Sequence, residues 1–303
     1  MAGLTTIPAL EALERDIAHA TRTGDTSQLR IVGFGEVSIA LALDHGDQPL
    51  VCKRLVPFRS RHLASEAAAT IASYIDELRG HGVDVLTTET PILEGAGELS
   101  GWHIVYCVQP AVPAHCLGPV FLRGMTTTAA TPHVTRIFVA LRDSVSSRLA
   151  PDGQLSNWAF DESRLLYLDV STPFLRDSSG RSVFDFSHQT RALPWPIRVV
   201  TDHVLIEKIL ANYHSLRGQA LDFLGNLIKE DLVDLMVSAI PVANRVLDIE
   251  PAITEKEVRT HYRADARIYQ LIQSSRRLDR WFTRRILRKP YSFLLPPRIQ
   301  RHG

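Results

Sequence analysis

The chain begins with a helical pattern and continues with short alternating segments. In residues 7–21 four apolar residues recur at helical spacing, namely Leu10, Leu13, Ile17 and Ala20. This spacing predicts an amphipathic helix, which "GDTSQ" then ends. The next segments, "LRIVGFGEVSIALALD" and "PLVCKRLV", are β-like and joined by "HGDQ", so we expect a hairpin.

The balance of helical and extended patterns changes near residues 109–118. Before this point "SEAAATIASYIDELRG" predicts a helix, "DVLTTETPILE" and "WHIVYCVQP" predict strands, and "PAVPAHCLGP" predicts a linker. Beyond it, residues 133–149 and 201–247 have helical patterns. A further helix is expected from Thr254, which forms a capping box with Glu257.

These patterns predict an α+β fold in two parts with a short extension. The predicted units are a helical extension at residues 1–29, a β-rich part with one main helix at 30–110, and a mainly helical part at 111–303. Ligands commonly bind in the cleft between two such parts. We therefore expect a functional site near the boundary of the second and third units.

The composition restricts the class of protein. The 303 residues are 45% hydrophobic and 22% charged, which is typical of a folded soluble protein. The net charge of +1 favours neither a nucleic-acid nor a membrane partner, and we do not expect nucleic acid as a partner. Three cysteines outside any CxxC or Cys/His array argue against a disulfide framework and a zinc site. The N-terminus lacks the apolar core of a signal peptide, and no apolar run reaches the roughly 18 residues of a membrane span. We therefore expect a cytoplasmic protein.

Candidate phosphate-binding residues lie in the predicted hairpin. In "GFGEVS", Gly33 and Gly35 let the backbone approach phosphate oxygens, although a bulge or turn is the ordinary reason for such glycines. Lys53, in "LVCKRLV", can neutralise phosphates if a carboxylate holds its ammonium group, and a solvent-facing lysine is the alternative. Glu66 on the next predicted helix is the first candidate for that carboxylate, and Glu77 is the second.

Three oxygen-bearing side chains form a second candidate group. Asp152 and Asn157 lie five residues apart in a non-helical loop, and Asp169 follows an apolar strand twelve residues later. Since Mg2+ prefers oxygen ligands and keeps waters and phosphates, Asn157 and Asp169 suffice as its protein ligands. Asp152 would then face an acceptor hydroxyl as base or orienting group. Taken singly, a turn, a cap and a strand-end acid explain the same residues.

The order of these motifs resembles the protein-kinase-like superfamily, particularly its small-molecule branch of aminoglycoside phosphotransferases and choline kinases. "DGQLSN" has the catalytic-loop spacing, "YLDVS" resembles the metal-binding strand end, and "SEAAATIASYIDELRGHGVDV" is similar to the branch's main N-lobe helix. The resemblance covers residues 30–173. It implies a bilobal fold that binds ATP and Mg2+ between a β-rich N-lobe and a helical C-lobe.

The resemblance also implies a role for each candidate residue. The nucleotide would be contacted by Gly33, Gly35, Lys53 and Val108, and Glu66 would orient Lys53. Val108 lies in "VYCVQPA", which would be the hinge whose backbone meets the adenine. Asp152 would be the catalytic base, and Asn157 and Asp169 the Mg2+ ligands.

Three positions depart from the family pattern. Ala150 stands where a histidine normally precedes the catalytic aspartate, Ser38 stands where a third glycine is common, and "VS" follows Asp169 in place of "FG". Small-molecule kinases often lack the last two features, whereas the histidine helps to hold the catalytic loop. We expect an ATP- and Mg2+-dependent phosphotransferase acting on a hydroxyl of a small molecule. A pseudokinase or nucleotide-binding regulatory scaffold with a protein partner is the alternative, and nucleotidyl transfer is a third reading.

The end of the chain is strongly basic. Residues 276–301 contain nine Lys or Arg and one acid, Asp279, so the rest of the chain carries about −7. Leu278, Trp281 and Phe282 fall at helical spacing among the arginines. Either this stripe packs on the C-terminal part, or the basic helix contacts an anionic partner or surface.

Overall fold

The computed structural model describes residues 4, 7–34, 38–45, 48–186, 206–286 and 288. Its helices are α1 (Ile7–Thr23), α2 (Arg61–Gly80), α3 (Gly118–Leu122), α4 (Thr127–Ser144), α5 (Ile206–Tyr213), α6 (Leu216–Lys229), α7 (Val233–Val246) and α8 (Glu255–Arg285). Its strands are β1 (Ile31–Phe34), β2 (Ile39–His45), β3 (Gln48–Arg54), β4 (Asp84–Val85), β5 (Ile92–Glu94), β6 (His103–Pro110), β7 (Leu149–Ala150), β8 (Trp158–Asp161), β9 (Arg164–Tyr167) and β10 (Phe174–Leu175). The structure confirms the predicted α+β class, with a β-rich N-terminal lobe whose main helix is α2 and a mainly helical C-terminal lobe.

Alternate residues of β3 face opposite sides of the N-terminal sheet, whose strand order is β1-β2-β3-β6-β5. Leu50, Cys52 and Arg54 point to the outer side, which α1 covers, and all three are buried. Val51 and Lys53 face the C-terminal lobe and are half-buried. The period-two pattern of the strand thus brings Lys53 to the groove between the lobes.

Helix α1 is attached to the sheet by apolar packing and by a buried polar cluster. Leu10 and Ile17 share a core with the outer face of the sheet. Glu14 on the same helix face accepts hydrogen bonds from Arg54 at 2.8 and 2.7 Å and from Tyr106 Oη at 2.5 Å. Because a buried carboxylate is costly unless it is paired and hydrogen-bonded, the three side chains depend on one another.

Helix α2 begins at the N-cap Ser60, whose side chain accepts a hydrogen bond from the Leu63 N–H. Its alanine-rich sequence favours a helix, and its buried residues are Ala64, Ala67, Ile71, Tyr74, Ile75 and Leu78. These residues share one core with residues of α4, α6 and α7. Helix α2 therefore packs on both lobes and carries Tyr74 to the last residue of β7.

Short β-pairings hold the segments in which the candidate residues lie. Strand β7 pairs with β10, β8 pairs with β9, and β9 also pairs in parallel with β4. Asp152 and Asn157 lie in the loop between β7 and β8, and Asp169 follows β9. The strand expected before Asp169 is therefore present.

Two of the predicted helices can be compared at their ends. The helix expected at residues 133–149 begins earlier, because Thr126 caps it and Pro132 is accommodated within it, and it ends before β7. The capping of α8 is confirmed, since the Thr254 side chain accepts a hydrogen bond from the Glu257 N–H at 3.3 Å.

Candidate active site

An ion pair across the groove joins the two lobes. Lys53 Nζ lies 2.8 Å from Asp169 Oδ2, and each side chain is about one-fifth exposed (21% and 22%). Burial acts to raise the pKa of Asp169, but the charge of Lys53 and the hydrogen bonds from Lys53 and Ser171 outweigh it and lower that pKa. Asp169 is therefore ionised at neutral pH and available to a cation.

The segment around Asp169 is fixed by three neighbours. Asp169 Oδ1 accepts hydrogen bonds from the Ser171 N–H at 3.1 Å and from Ser171 Oγ at 2.7 Å. The Leu168 carbonyl accepts from Gln109 Nε2 at 2.8 Å, and the Leu168 N–H donates to the Asn157 carbonyl at 2.9 Å. The end of β6 and the catalytic loop thus both determine where Asp169 lies.

Asp152 and Asn157 are half-buried and linked to each other within the loop. Asp152 Oδ1 accepts a hydrogen bond from the Gln154 N–H at 3.1 Å, and Asn157 Nδ2 lies 3.4 Å from the Asp152 carbonyl. With its amide nitrogen turned to the loop, Asn157 leaves its side-chain oxygen for another ligand.

The charges of Asp152 and Asp169 act on the same pair of buried tyrosines. Burial is the main cause of the raised pKa values of Tyr74 and Tyr167, and the negative charges of Asp152 and Asp169 raise both pKa values further. Both acids therefore lie within electrostatic reach of the same two hydroxyl groups. That Asp152 and Asp169 form one site stays a prediction.

Gln219 of α6 holds the catalytic loop on both sides of Asp152. Its side chain is fully buried, Oε1 accepts a hydrogen bond from the Gly153 N–H at 2.8 Å, and Nε2 donates to the Pro151 carbonyl at 2.6 Å. Nε2 also donates to the Tyr213 carbonyl at 2.7 Å. A Cβ atom at position 153 would lie 2.5 Å from Gln219 Oε1, so the glutamine requires glycine there.

Two tyrosines support the same loop from the other side. Tyr74 Oη of α2 donates to the Ala150 carbonyl at 2.8 Å, and Tyr167 Oη accepts from the Asp152 N–H at 2.8 Å. The two hydroxyls are also hydrogen-bonded to each other. Anchoring that a histidine would provide at Ala150 is thus supplied by side chains that the sequence analysis did not select. The only sign of this support in the sequence was a tyrosine on the buried face of α2, and the sequence did not show which residue that tyrosine contacts.

Small residues line the face of the N-terminal sheet near Lys53. Ala40 lies directly opposite Lys53 in the β2–β3 register, and Ala42 lies two residues along on the same face. Gly33 pairs with Ala40, and a Cβ atom on Gly33 would make only an ordinary contact of 3.8 Å with the Ala40 Cβ. Among the described residues, none therefore requires glycine at position 33. Gly35 lies outside the described residues.

Glu66 is not the partner of Lys53. It lies on the exposed side of α2, and its carboxylate is 3.4 Å from His62 Nε2. The expected Lys53–Glu66 pair is therefore replaced by the pair with Asp169, because the helix turns Glu66 away from its buried face. The second candidate, Glu77, pairs with Arg148 at 2.5 Å.

Val108 does not present its backbone to the groove. Its N–H donates to the Glu89 carbonyl at 2.8 Å, and its carbonyl accepts from the Glu89 N–H at 2.9 Å. The expectation that Val108 meets the adenine is not met by this geometry, since the segment before β5 covers β6 as far as this residue.

The oxygen donors fit a magnesium ion that also binds phosphate. Asn157 and Asp169 offer one amide oxygen and one carboxylate, which suits Mg2+ when phosphates and waters complete its shell. In the part of the chain that the structure describes, no three His, Cys, Asp or Glu side chains form a metal-binding cluster.

Several solved structures resemble this chain at low sequence identity. A structure of WaaP in complex with acyl carrier protein matches with a TM-score of 0.42 and 12% identity, over 82% of this chain and 88% of that chain. The kinase domain of PknI from Mycobacterium tuberculosis matches with a TM-score of 0.35 and 13% identity, over 78% and 94%. The MAP kinase LmaMPK10 from Leishmania major matches with a TM-score of 0.34 and 14% identity, over 84% and 88%.

No helix within the described ranges is both long enough and apolar enough to cross a bilayer.

Comparison by sequence identifies a family. None of the curated proteins matches the chain. The model of a family of unknown function, DUF6206, matches residues 12–280. Because this match spans most of the chain, the protein belongs to the family of unknown function DUF6206.

Proposed function

We propose that the protein is an ATP- and Mg2+-dependent phosphotransferase that acts on a hydroxyl group of a small molecule. The observation that carries the proposal is the 2.8 Å ion pair between Lys53 and Asp169, formed across the groove beside the loop that holds Asp152 and Asn157. A lysine on a central strand and an acid at a strand end are the two charged groups with which kinase-like enzymes hold nucleotide phosphates and their metal ion.

Each side chain has a role in this proposal. Lys53 binds the nucleotide phosphates, and Asn157 and Asp169 hold Mg2+. The ion supplies positive charge beside the phosphates. Asp152 accepts the proton of the acceptor hydroxyl as the hydroxyl oxygen bonds to the γ-phosphorus. The bond from that phosphorus to the bridging β–γ oxygen breaks, and ADP leaves.

The support of the catalytic loop favours an enzyme over an empty scaffold. The main support for a pseudokinase is that Ala150 stands where the family has a histidine. Tyr167 hydrogen-bonds to the backbone N–H of Asp152, and Gln219 hydrogen-bonds to the backbone of the residues before and after it. The loop therefore does not depend on a histidine. A residue held in this way keeps its orientation without reorganisation during the reaction, which is what positioning catalysis requires.

The nature of the acceptor is inferred from the sequence. No activation segment of the kind found in regulated protein kinases is recognisable after Asp169 in "DVSTPFLRDSSGRS". A small-molecule hydroxyl is therefore the acceptor we propose, and the helical C-terminal lobe would form its pocket.

A second candidate is a nucleotide-binding regulatory scaffold. The exposed position of Glu66 favours it, because an active kinase-like site normally holds its lysine with a carboxylate from this helix. In this candidate the groove binds nucleotide, and the response is a change in the contacts of α2 rather than transfer of a phosphoryl group.

Binding and turnover separate these functions. Thermal shifts with ATP, with and without Mg2+, report binding to the full chain, and ADP release is measured against a panel of hydroxyl-bearing metabolites. An enzyme should lose turnover in Asp152→Asn by at least about a hundredfold while ATP binding persists. Asp143→Asn, which alters an exposed acid on α4, is the matched control. ATP binding with no ADP release for any acceptor would favour the scaffold, and no binding at all would refute both.

A further inference from the structure

Helix α8 has two apolar faces, of which one is used inside the protein. The inner face packs on α6 and buries Val258, Tyr262, Ala266 and Tyr269. Towards the C-terminal end the same face buries Gln273 and Arg276. This side of the helix is therefore fixed by the rest of the chain.

The outer face of α8 carries a second stripe of large apolar side chains. The members of this outer stripe are Ile268, Leu271, Leu278, Phe282 and Ile286, with Trp281 at its edge. They are between 43% and 67% exposed. At about 100° per residue, the stripe is centred roughly 150° from the inner face, so it points away from the protein.

Contiguous exposure of this kind is unusual. Single exposed apolar residues are normal on protein surfaces, but a row along several turns of one helix marks an interaction site. The described residues of the outer stripe extend over about five turns of α8.

Arginine side chains border the outer stripe. Arg263, Arg267 and Arg285 are exposed and lie along one edge of it. Residues 276–301, which include Arg285 and the buried Arg276, contain nine Lys or Arg against one acid, and the sequence continues past α8 with "KPYSFLLPPRIQR". Basic and apolar character therefore occur together at this end of the chain.

We propose that the outer stripe of α8 lies in the interface of an anionic lipid bilayer. A helix that lies in this interface buries Trp, Phe and Leu at the level of the acyl chains, while arginines bind the acidic headgroups. The arrangement of the outer stripe and its arginines meets both requirements. Because arginines interrupt the apolar sequence of α8, the helix would lie on the membrane surface rather than cross it.

A second copy of the chain fits this face less well. Two outer stripes packed together would bring arginines of the same sign into proximity. Ala264 and Ser275, which lie within the stripe by helical phase, are also too small to fill a zipper core. Attraction to a surface of opposite charge has neither difficulty.

The inference is independent of the proposed enzymatic activity. It rests on side chains of α8, and none of them belongs to the groove between the lobes. A result on membrane binding therefore leaves the phosphotransferase proposal untouched, and the reverse also holds.

The test is co-sedimentation of the full chain with lipid vesicles. Vesicles of phosphatidylcholine alone are compared with vesicles that also contain phosphatidylglycerol. We expect binding to the anionic vesicles that weakens as salt rises, and little binding to the neutral ones. Phe282→Ser should weaken binding about tenfold. Val237→Ser on α7 is the matched control, because Val237 is 44% exposed and Phe282 45% exposed.

A charge variant completes the experiment. Arg263→Gln combined with Arg267→Gln should weaken binding to anionic vesicles by roughly tenfold and leave the melting temperature unchanged. Equal binding to both vesicle types, or no binding to either, would overturn the proposal. Light scattering that shows a dimer abolished by Phe282→Ser, without vesicle binding, would overturn it in favour of a second copy.

Discussion

Lys53 Nζ and Asp169 Oδ2 lie 2.8 Å apart and connect the C-terminal end of β3 to the segment just after β9. The pair places a cation from the N-terminal lobe against an anion from the C-terminal lobe. Gln109 at the end of β6 also hydrogen-bonds to the Leu168 carbonyl, next to the acid. The distance between Lys53 and Asp169 thus reports how the two lobes are closed on each other.

Asp169→Asn should change the response of the protein to acid. The pKa of Asp169 is lowered in the folded state, so the unfolded chain binds a proton more readily than the folded one. The stability contributed by this carboxylate is therefore present above the ordinary pKa of 3.8 and is lost as pH falls through the lowered value. Melting temperatures recorded towards acid pH should fall less steeply for Asp169→Asn than for the wild type.

Asp177→Asn is the comparison for Asp169→Asn, because the pKa of Asp177 is also lowered but by different neighbours. Asp177 is held by Ser179 and Arg181 in an exposed turn, so Asp177→Asn tests a surface carboxylate. An acid limb of the same slope in Asp169→Asn and wild type would contradict the ion pair as a contributor to stability.

Gln219→Ala should destabilise the protein by about 2–4 kcal/mol, since it leaves the Gly153 N–H and the Pro151 and Tyr213 carbonyls without their buried partner. The free energy of unfolding is measured by urea denaturation. Gln48→Ala, at an exposed position of β3, is the control and should change it by less than about 0.5 kcal/mol.

A positioning role for Gln219 has its own readout. If the protein turns over ATP, Gln219→Ala should lower kcat more than it raises KM for ATP, because the glutamine supports the Asp152 loop and the nucleotide binds elsewhere in the groove. A variant as stable as the wild type would show that water or another side chain replaces the three hydrogen bonds.

The sequence predicted the residues that local patterns specify. Lys53 alternates with buried neighbours in β3, and Asp169 follows the apolar strand β9, as the sequence pattern predicted. Their roles came from the family resemblance and stay predictions. The α+β class and the capped start of α8 follow from the same kind of local signal.

Contacts between distant segments could not be predicted in this way. Glu66 was selected for being an acid on the right helix, but the phase of α2 buries Ala67 and Tyr74 and turns Glu66 outward. The backbone of Val108 is occupied by Glu89, nineteen residues earlier, which no local pattern reveals. Gln219 likewise hydrogen-bonds to Gly153 and Pro151, which are 66 and 68 positions away in the sequence. A single glutamine in an apolar helix gave no sign of these partners.

Glu14→Ala should destabilise the N-terminal lobe by about 3–5 kcal/mol, because it leaves Arg54 buried without its partner. Burial alone would lower the pKa of Arg54, but the hydrogen bonds and charge of Glu14 raise it, so the guanidinium stays charged. The double variant Glu14→Leu with Arg54→Met removes both charges and should be less destabilised than Glu14→Ala. Thermal unfolding of the two variants measures the difference, and equal losses would mean that the shape of the cluster matters more than its charge.

His261 and Asp222 join α8 to α6, and their pair should make this junction sensitive to pH. The hydrogen bond from His261 Nε2 to Asp222 Oδ1 is 2.7 Å long, and it raises the pKa of His261 against the opposing effect of burial. A raised pKa in the folded state means that the pair contributes fully below the ordinary value of 6.5 and is lost as pH rises through the raised value. His261→Gln should therefore cost about 1–2 kcal/mol near pH 5.5 and much less near pH 9. Urea denaturation at the two pH values measures this difference. A cost of His261→Gln that is the same at both pH values would mean that the imidazole acts by packing and not by its charge.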